Sequence, residues 1–442
     1  MQLQKISLVG AQSLAPLLIT LVATVLTPLP ENISAVFPRS QVLAQTPDAP
    51  ATVNPPNIEQ IRQVAKSHNA TLVEYSINYQ TFPVQGKEQT QESELLIWVI
   101  QPTGEITLRR VDLRPLWQKQ NTSLSELVSS SRAAMGIRSA ANKGRITVET
   151  VEIRKDNRPS KQLQQLHQLL IEPIADLLPK DPNARVAFIP QKSLFLLPFA
   201  ALQDKQGKYL IEQHAIFTAP SIQALDLLYK QRQRIQGVAK DVLVVGNPTM
   251  PSLPPKIGQK PVSLQLLPGA EREAKAIANL FNTQALTGDA ATETAIVQQM
   301  PQARIIHLAT TGLLDEEEAL RSAIALAPSN TDDGLLTAEE ILNLKLNAEL
   351  VVLSACDTGL GRITEDGVIG LTRSFMAAGV PSVIASLGSM PDEQTAFLMT
   401  EFYKNLQSNP DKAAALRSAM LATMKQHPDP INWAAFILIG EP

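Results

Sequence analysis

Residues Glu349 to Gly361 read ELVVLSACDTGLG, and residues Arg304 to Gly312 read RIIHLATTG. Each begins with an apolar run of strand length and ends in small, polar and glycine residues. A run without polar/apolar alternation is a strand covered on both faces, as in a parallel sheet flanked by helices. In such sheets ligands bind outside the carboxyl ends of strands, where the loops begin. One exit carries His307, Thr310, Thr311 and Gly312, and the other carries Ser354, Cys356, Asp357 and Gly359. Cys356 and His307 lie 356 − 307 = 49 residues apart, which leaves room for an intervening strand and helix and still allows neighbouring strands.

The same text extends outward from these two phrases. Upstream, RVAFIP (185–190), HAIFTAPS (214–221) and DVLVVGNP (241–248) read as buried strands, with helices expected over 163–178, from Ile222, over 269–281 and over 293–300. Downstream, VPSVIASL (380–387) and NWAAFILIG (432–440) read as strands around two helices that end near Lys425. Strands alternating with helices imply an α/β sheet, mostly parallel and flanked by helices on both faces. Before it lies a strand-rich portion: TLVEYSINY (71–79), then ELLIWVIQP (94–102) turning through Thr103-Gly104 into EITLRRVDL, a hairpin. The polar stretch VQGKEQTQES between the first two reads as a loop. A helix with a cap-like start opens at Thr122–Glu126, and another spans Ile58–Ser67.

The chain has 442 residues, 44% apolar and 18% charged, with a formal net charge of −3. That balance, without a run of five Lys or Arg, gives no electrostatic case for nucleic acid. No metal-ligand spacing or phosphate-binding glycine loop is present, so neither metal nor cofactor is expected. The single cysteine, Cys356, makes an internal disulfide impossible. In an exported protein an odd cysteine is a free thiol with a chemical role, an intermolecular bridge, or a small buried residue.

Export is read from the first 44 residues. Lys5 supplies a positive n-region, and residues 6–30 carry no charge. Small-residue cleavage sites follow at Ile33-Ser34-Ala35 and at Val42-Leu43-Ala44. The alternative is an N-terminal membrane anchor through 6–30, against which Pro16, Pro28 and Pro30 argue. Residues 45–57 form a Pro-rich linker, 58–248 a supporting half and 249–442 the half that carries Cys356.

Several phrases in order carry a family resemblance: VAFIPQKSLFLLPFAALQD (186–204), GKYLIEQHAIFTAPSIQAL (207–225), LVVLSACDTGLG (350–361), GVIGLTRSFMAAGVPSVIASL (367–387) and NWAAFILIG (432–440). The chain resembles the CHAT domain family, the caspase-like fold of the cysteine peptidase clan that also holds caspases, gingipains and separase. The resemblance runs from about Thr71 to Glu441 and implies a caspase-like sheet preceded by a pseudo-catalytic half. It also implies a dyad of a cysteine in Leu-Ser-Ala-Cys and a histidine closing His-x-Ala-Thr-His-Gly. The cysteine carries over to Cys356. The histidine does not, because this chain reads His307-Leu308-Ala309-Thr310-Thr311-Gly312 and Thr311 stands in its place. His307 matches the first histidine of the phrase, and four residues of extended chain span roughly 13 Å, so it cannot simply replace a side chain at 311.

Two readings follow. In one, the chain is a catalytically impaired relative that binds a peptide or protein partner in the cleft. In the other it is an active endopeptidase with Cys356 as nucleophile, His307 as substitute base, and backbone at Gly312 and Cys356 as oxyanion donors. Thr311 itself is no general base at neutral pH, because its hydroxyl is not appreciably ionised. Ser354, Asp357 and Gly359 border the cleft in either reading. The resemblance also implies an acidic pocket for a basic residue, for which Asp366, Asp392 and Glu393 are the candidates. A departure at Ser386-Leu387-Gly388, where the family favours Ser-Leu-Trp, falls on the same loop. His68 and His427 read as polar helix-end or loop residues.

Overall fold

The computed structural model describes residues 56–84, 87–137, 161–254, 260–315, 318–354, 362–364, 367–388 and 390–442. Helix α1 (Ile58–His68) starts at Asn57, whose side chain and that of Gln60 cap each other's backbone N–H. It leads into a meander of β1 (Ala70–Val84), β2 (Lys87–Ile100) and β3 (Ile106–Asp112), followed by α2 (Arg114–Lys119) and α3 (Leu124–Ala134). Then come α4 (Lys161–Leu170), β4 (Arg185–Ile189), β5 (Ala215–Thr218) and α5 (Ile222–Ile235). Next are β6 (Asp241–Pro248), a small hairpin of β7 (Ser252–Leu253) and β8 (Val262–Ser263), α6 (Pro268–Leu280), β9 (Ala285–Gly288), α7 (Glu293–Gln299) and β10 (Ala303–Ala309). A small sheet of β11 (Gly312–Leu313), β12 (Ala323–Ala325) and β13 (Leu335–Thr337) precedes α8 (Ala338–Leu342) and β14 (Leu350–Leu353). The chain closes through hairpin β15 (Arg362–Thr364) and β16 (Gly367–Ile369), α9 (Leu371–Ala377), β17 (Ser382–Ser386), α10 (Asp392–Ser408), α11 (Lys412–Gln426) and β18 (Phe436–Gly440).

Eleven of these strands form one sheet in the order β3-β2-β1-β4-β5-β18-β17-β14-β10-β6-β9. Strands β6, β10, β14 and β17 run parallel, in keeping with their largely apolar runs. Strand β18 is antiparallel to β17 and meets β5 through one parallel bridge, Ile439↔Thr218. Strand β6, at the end of the supporting half in the sequence, pairs between β10 and β9. On one face Val244, Ile305, Val352 and Ile384 pack beneath α6, α10 and α11. On the other, Val245, Leu308, Leu353 and Val383 pack beneath α7, α8 and α9. Gly246 lets α6 approach β6 closely: a Cβ there would lie 2.4 Å from Ala274 Cβ and 2.5 Å from the Ala270 carbonyl oxygen.

Three sequence expectations change. The polar stretch after residue 83 is not simply a loop, because β1 and β2 stay paired out to Val84↔Lys87, beyond a bulge at Asn78/Tyr79. A two-stranded arm with water on both sides needs no alternation of polar and apolar residues, so the pattern did not mark it. The helix expected over 163–178 stops at Leu170, and Pro173 follows in a single 3₁₀ turn (Glu172–Ile174). Proline there lacks the N–H and clashes with the preceding turn. His68, read as a polar helix end, is 3% exposed. Its Nε2 is paired with the buried Glu441 carboxylate and its Nδ1 lies 2.8 Å from the Val64 carbonyl oxygen.

Candidate functional site at the carboxyl ends of β10, β14 and β17

Parallel pairing aligns three strand exits. Leu308 is level with Leu353, and Leu353 with Ala385. The residues that leave the sheet there are Thr310 and Thr311 from β10, Ser354 from β14, and Leu387 and Gly388 from β17. Ser354 N–H donates to the Leu308 carbonyl (2.9 Å), which holds the two exits together. Its side-chain oxygen is buried and has no hydrogen-bond partner. A buried, unpaired hydroxyl is unusual because it forfeits its solvation, and here it lies at the carboxyl edge of the strands, where open parallel sheets generally bind ligands. Thr310 is 1% exposed and donates its hydroxyl to the Ala325 carbonyl (2.6 Å). The Thr311 carbonyl accepts from Ala325 N–H (2.9 Å), and Gly312 pairs with Ile324, so β11 and β12 fix this exit. The Thr311 side chain is half-buried at the junction.

His307 is not among these exit residues. It is fully buried, level with Val244 and Val352, on the face beneath α6 and α10. Its Nδ1 shares a hydrogen bond with Tyr403 Oη (3.2 Å), and the two rings meet edge to face with centroids 5.6 Å apart. Its Nε2 lies 3.0 Å from Glu273 Oε1, within ion-pair distance though off the line of a hydrogen bond. Glu273, on α6, is 2% exposed. Burial, with the Glu273 charge adding to it, pushes the Tyr403 hydroxyl well above its ordinary pKa. Glu273, His307 and Tyr403 therefore form a closed polar cluster behind the strand.

Asp392 and Glu393 are exposed at the first turn of α10. Asp392 lies across Gly269 at the start of α6, where a Cβ would come 2.2 Å from its own Cβ. Cys356, Asp357, Gly359 and Asp366 lie outside the described residues. So do residues 6–30 and both candidate cleavage sites. Among the described residues no group of three or more His, Cys, Asp or Glu side chains could hold a metal ion.

The loop after β17 has a neighbour that no motif marks. Arg132 of α3 is 3% exposed and donates to the carbonyls of Leu196 and Leu387, each at 2.8 Å. Ile137 packs against Gly388 so closely that a Cβ on that glycine would lie 2.6 Å from Ile137 Cγ2. A signal was present: Leu124, Leu127, Val128, Ser131 and Arg132 are the buried positions of α3, spaced as one helical stripe, so Arg132 sits on the inward face.

With this geometry in view, the CHAT domain family matches residues 160–441. The chain belongs to the CHAT domain family. A human relative, tetratricopeptide repeat protein 28, is 29% identical over 333 residues, covering 63% of this chain and 13% of that protein. The mouse protein of the same name is 28% identical over the same lengths. The chain thus spans about an eighth of those curated relatives (13%). Among solved structures, the Saccharomyces cerevisiae separase–securin complex contains a chain that matches with a TM-score of 0.50 at 12% identity, covering 87% of this chain and 31% of the other. The Arg-specific cysteine proteinase gingipain R matches with a TM-score of 0.42 at 13% identity, over 74% of this chain and 75% of the other. The CHAT domain here has the caspase-like α/β fold: a mostly parallel central sheet flanked by helices.

Proposed function

We propose that this CHAT-domain protein is exported and binds a peptide or protein partner at the carboxyl edge of β10, β14 and β17, with peptidase chemistry impaired. The observation that carries the reading is the confinement of His307. Its imidazole is fully buried and engaged by Tyr403 and Glu273, while the residue at the exit itself is Thr311. A cysteine nucleophile without a base nearby loses on the order of 10²- to 10⁴-fold in rate, which leaves binding as the function the edge still supports. Protein partnership is supported by the relatives' names: the mammalian proteins carry tetratricopeptide repeats by name, and the yeast structure is of a complex with securin. One feature favours an active endopeptidase instead, namely Cys356 within the LSAC phrase.

The test is to offer the full chain a random-sequence peptide pool and follow both retention and cleavage. Retention without cleavage is expected. Installing Thr311→His should then raise Cys356-dependent cleavage by about 10² or more. Cleavage by the natural sequence that disappears in Cys356→Ala overturns the binding-only reading. For export, mass analysis of the mature N-terminus after expression in a host cell is expected to show a start at Val36 or Gln45. An intact Met1 in the membrane fraction would establish an anchor instead.

A further inference from the structure

We infer that Arg132 is a positioning residue for the cleft, and that the functional unit therefore includes residues 56–137, upstream of the region the CHAT family matches. The inference rests on the carboxyl edge being the binding cleft, and it names what holds one wall of that cleft in place.

The β17 exit needs outside support. Its backbone turns immediately: Leu387 N–H donates to the Ala435 carbonyl (2.8 Å) and Gly388 N–H to Ser386 Oγ (3.2 Å), before α10 begins at Asp392. The Leu387 carbonyl accepts from Arg132. The same guanidinium donates to the Leu196 carbonyl, at the end of the 3₁₀ turn Lys192–Leu196 that follows β4. One planar fork on α3 thus ties the exit of β17 to the turn after β4, reaching a carbonyl 255 residues away from Arg132 in sequence. A guanidinium suits this task because its donors leave one rigid plane in different directions, and burial makes each charge-assisted bond stronger than it would be in water. Ile137 then closes over Gly388, which has no side chain to obstruct it.

Position in the sheet makes this link relevant to the site. Between β5 and β18 the sheet is narrow, a single bridge. Arg185 with Asp411, and Arg417 with the Ile211 and Glu212 carbonyls, tie the same two parts elsewhere, whereas Arg132 supplies a tie at the edge where Ser354 and Leu387 emerge. The residues that supply it belong to the meander and helices before position 160, where the family match begins. Without that layer β4 would also lose β1, its parallel partner over Ala70–Glu74.

The experiment compares backbone hydrogen exchange in the full chain with that of Arg132→Ala, Arg132→Lys and Ile137→Ala. In Arg132→Ala the amides of 386–388 and 390 should exchange about tenfold faster or more, while β10 and β14 keep their protection. Arg132→Lys should behave similarly, since one ammonium cannot reach both carbonyls, and millimolar guanidinium should restore protection to Arg132→Ala. Ile137→Ala should loosen the same segment by less, which keeps the test valid if the arginine variants fold poorly. Unchanged exchange at 386–388 and 390, or a uniform loss across the whole sheet, overturns the inference. Because exchange needs no ligand, it is decided separately from peptide retention. If the natural chain retains no peptide but Arg132→Ala still loosens the segment, the binding proposal fails and the positioning role stands. Equal peptide retention in both removes Arg132 from the cleft's function.

Discussion

Replacing Glu74 by glutamine should make this protein more stable at pH 8 and leave it little changed at pH 4. Glu74 lies in β1, opposite Trp98 of β2 and level with Ile189 of β4. It is 5% exposed, and Trp98 beside it is fully buried with an indole N–H that has no acceptor. Burial raises the Glu74 carboxyl from 4.5 to about 7. In the unfolded chain the group loses its proton near 4.5, whereas the folded chain holds it to about 7. Between those values the folded state binds more protons, so stability falls as pH rises, and the loss is complete above about 7. A difference of about 2.5 units corresponds to about 3 kcal/mol. Glutamine keeps the volume and removes the charge, so its advantage over the natural residue should grow by about that amount from pH 4 to pH 8. Denaturant unfolding of both proteins at pH 4, 6 and 8 measures it. Two stability curves that stay parallel across this range would refute the reasoning, since they would mean the carboxylate is compensated in the fold.

Other expectations follow from single contacts. Gly246→Ala drives a methyl into Ala274 and the Ala270 carbonyl, and thermal unfolding should show a loss of about 1–3 kcal/mol. His214 is 7% exposed, and burial, helped by Arg417 and Lys208, lowers it from 6.5 to about 4. Since the unfolded chain takes up the proton first, stability should fall as pH drops from 6.5 towards 4. His214→Phe should flatten that limb of the pH–stability curve. His307→Ala empties a fully buried site and strips Glu273 and Tyr403 of a polar partner, at a cost of about 3–5 kcal/mol. The milder His307→Gln should leave the pH profile of Cys356 alkylation unchanged. A thiol pKa well below about 8.5 that rises in that variant would restore the dyad reading.

Much of the architecture was legible because local chemistry and tertiary packing agree. The capping box at Ser123 marks a helix start with side-chain hydrogen bonds that form within one turn. The largely apolar runs at 305–309 and 350–353 announce covered parallel strands, and their exits do align on one edge. The arm of β1 and β2 was not legible, since a hairpin wet on both faces leaves no periodic signature. His68 was misread because its partner, Glu441, lies 373 residues away.

The amino-acid sequence by itself determined the family and the strand exits, because these depend on residue identity and on order along the chain. Which way His307 faces was decided by the tertiary structure alone. A strand buried on both sides is apolar on both sides, so no pattern tells which helices will cover a given side chain. Helices α6 and α10 settle it by bringing Glu273 and Tyr403 onto the imidazole. The tie from Arg132 to Leu387 is likewise invisible in order and spacing. It exists only because the sheet folds two distant segments onto one edge, where a buried carbonyl must find a donor.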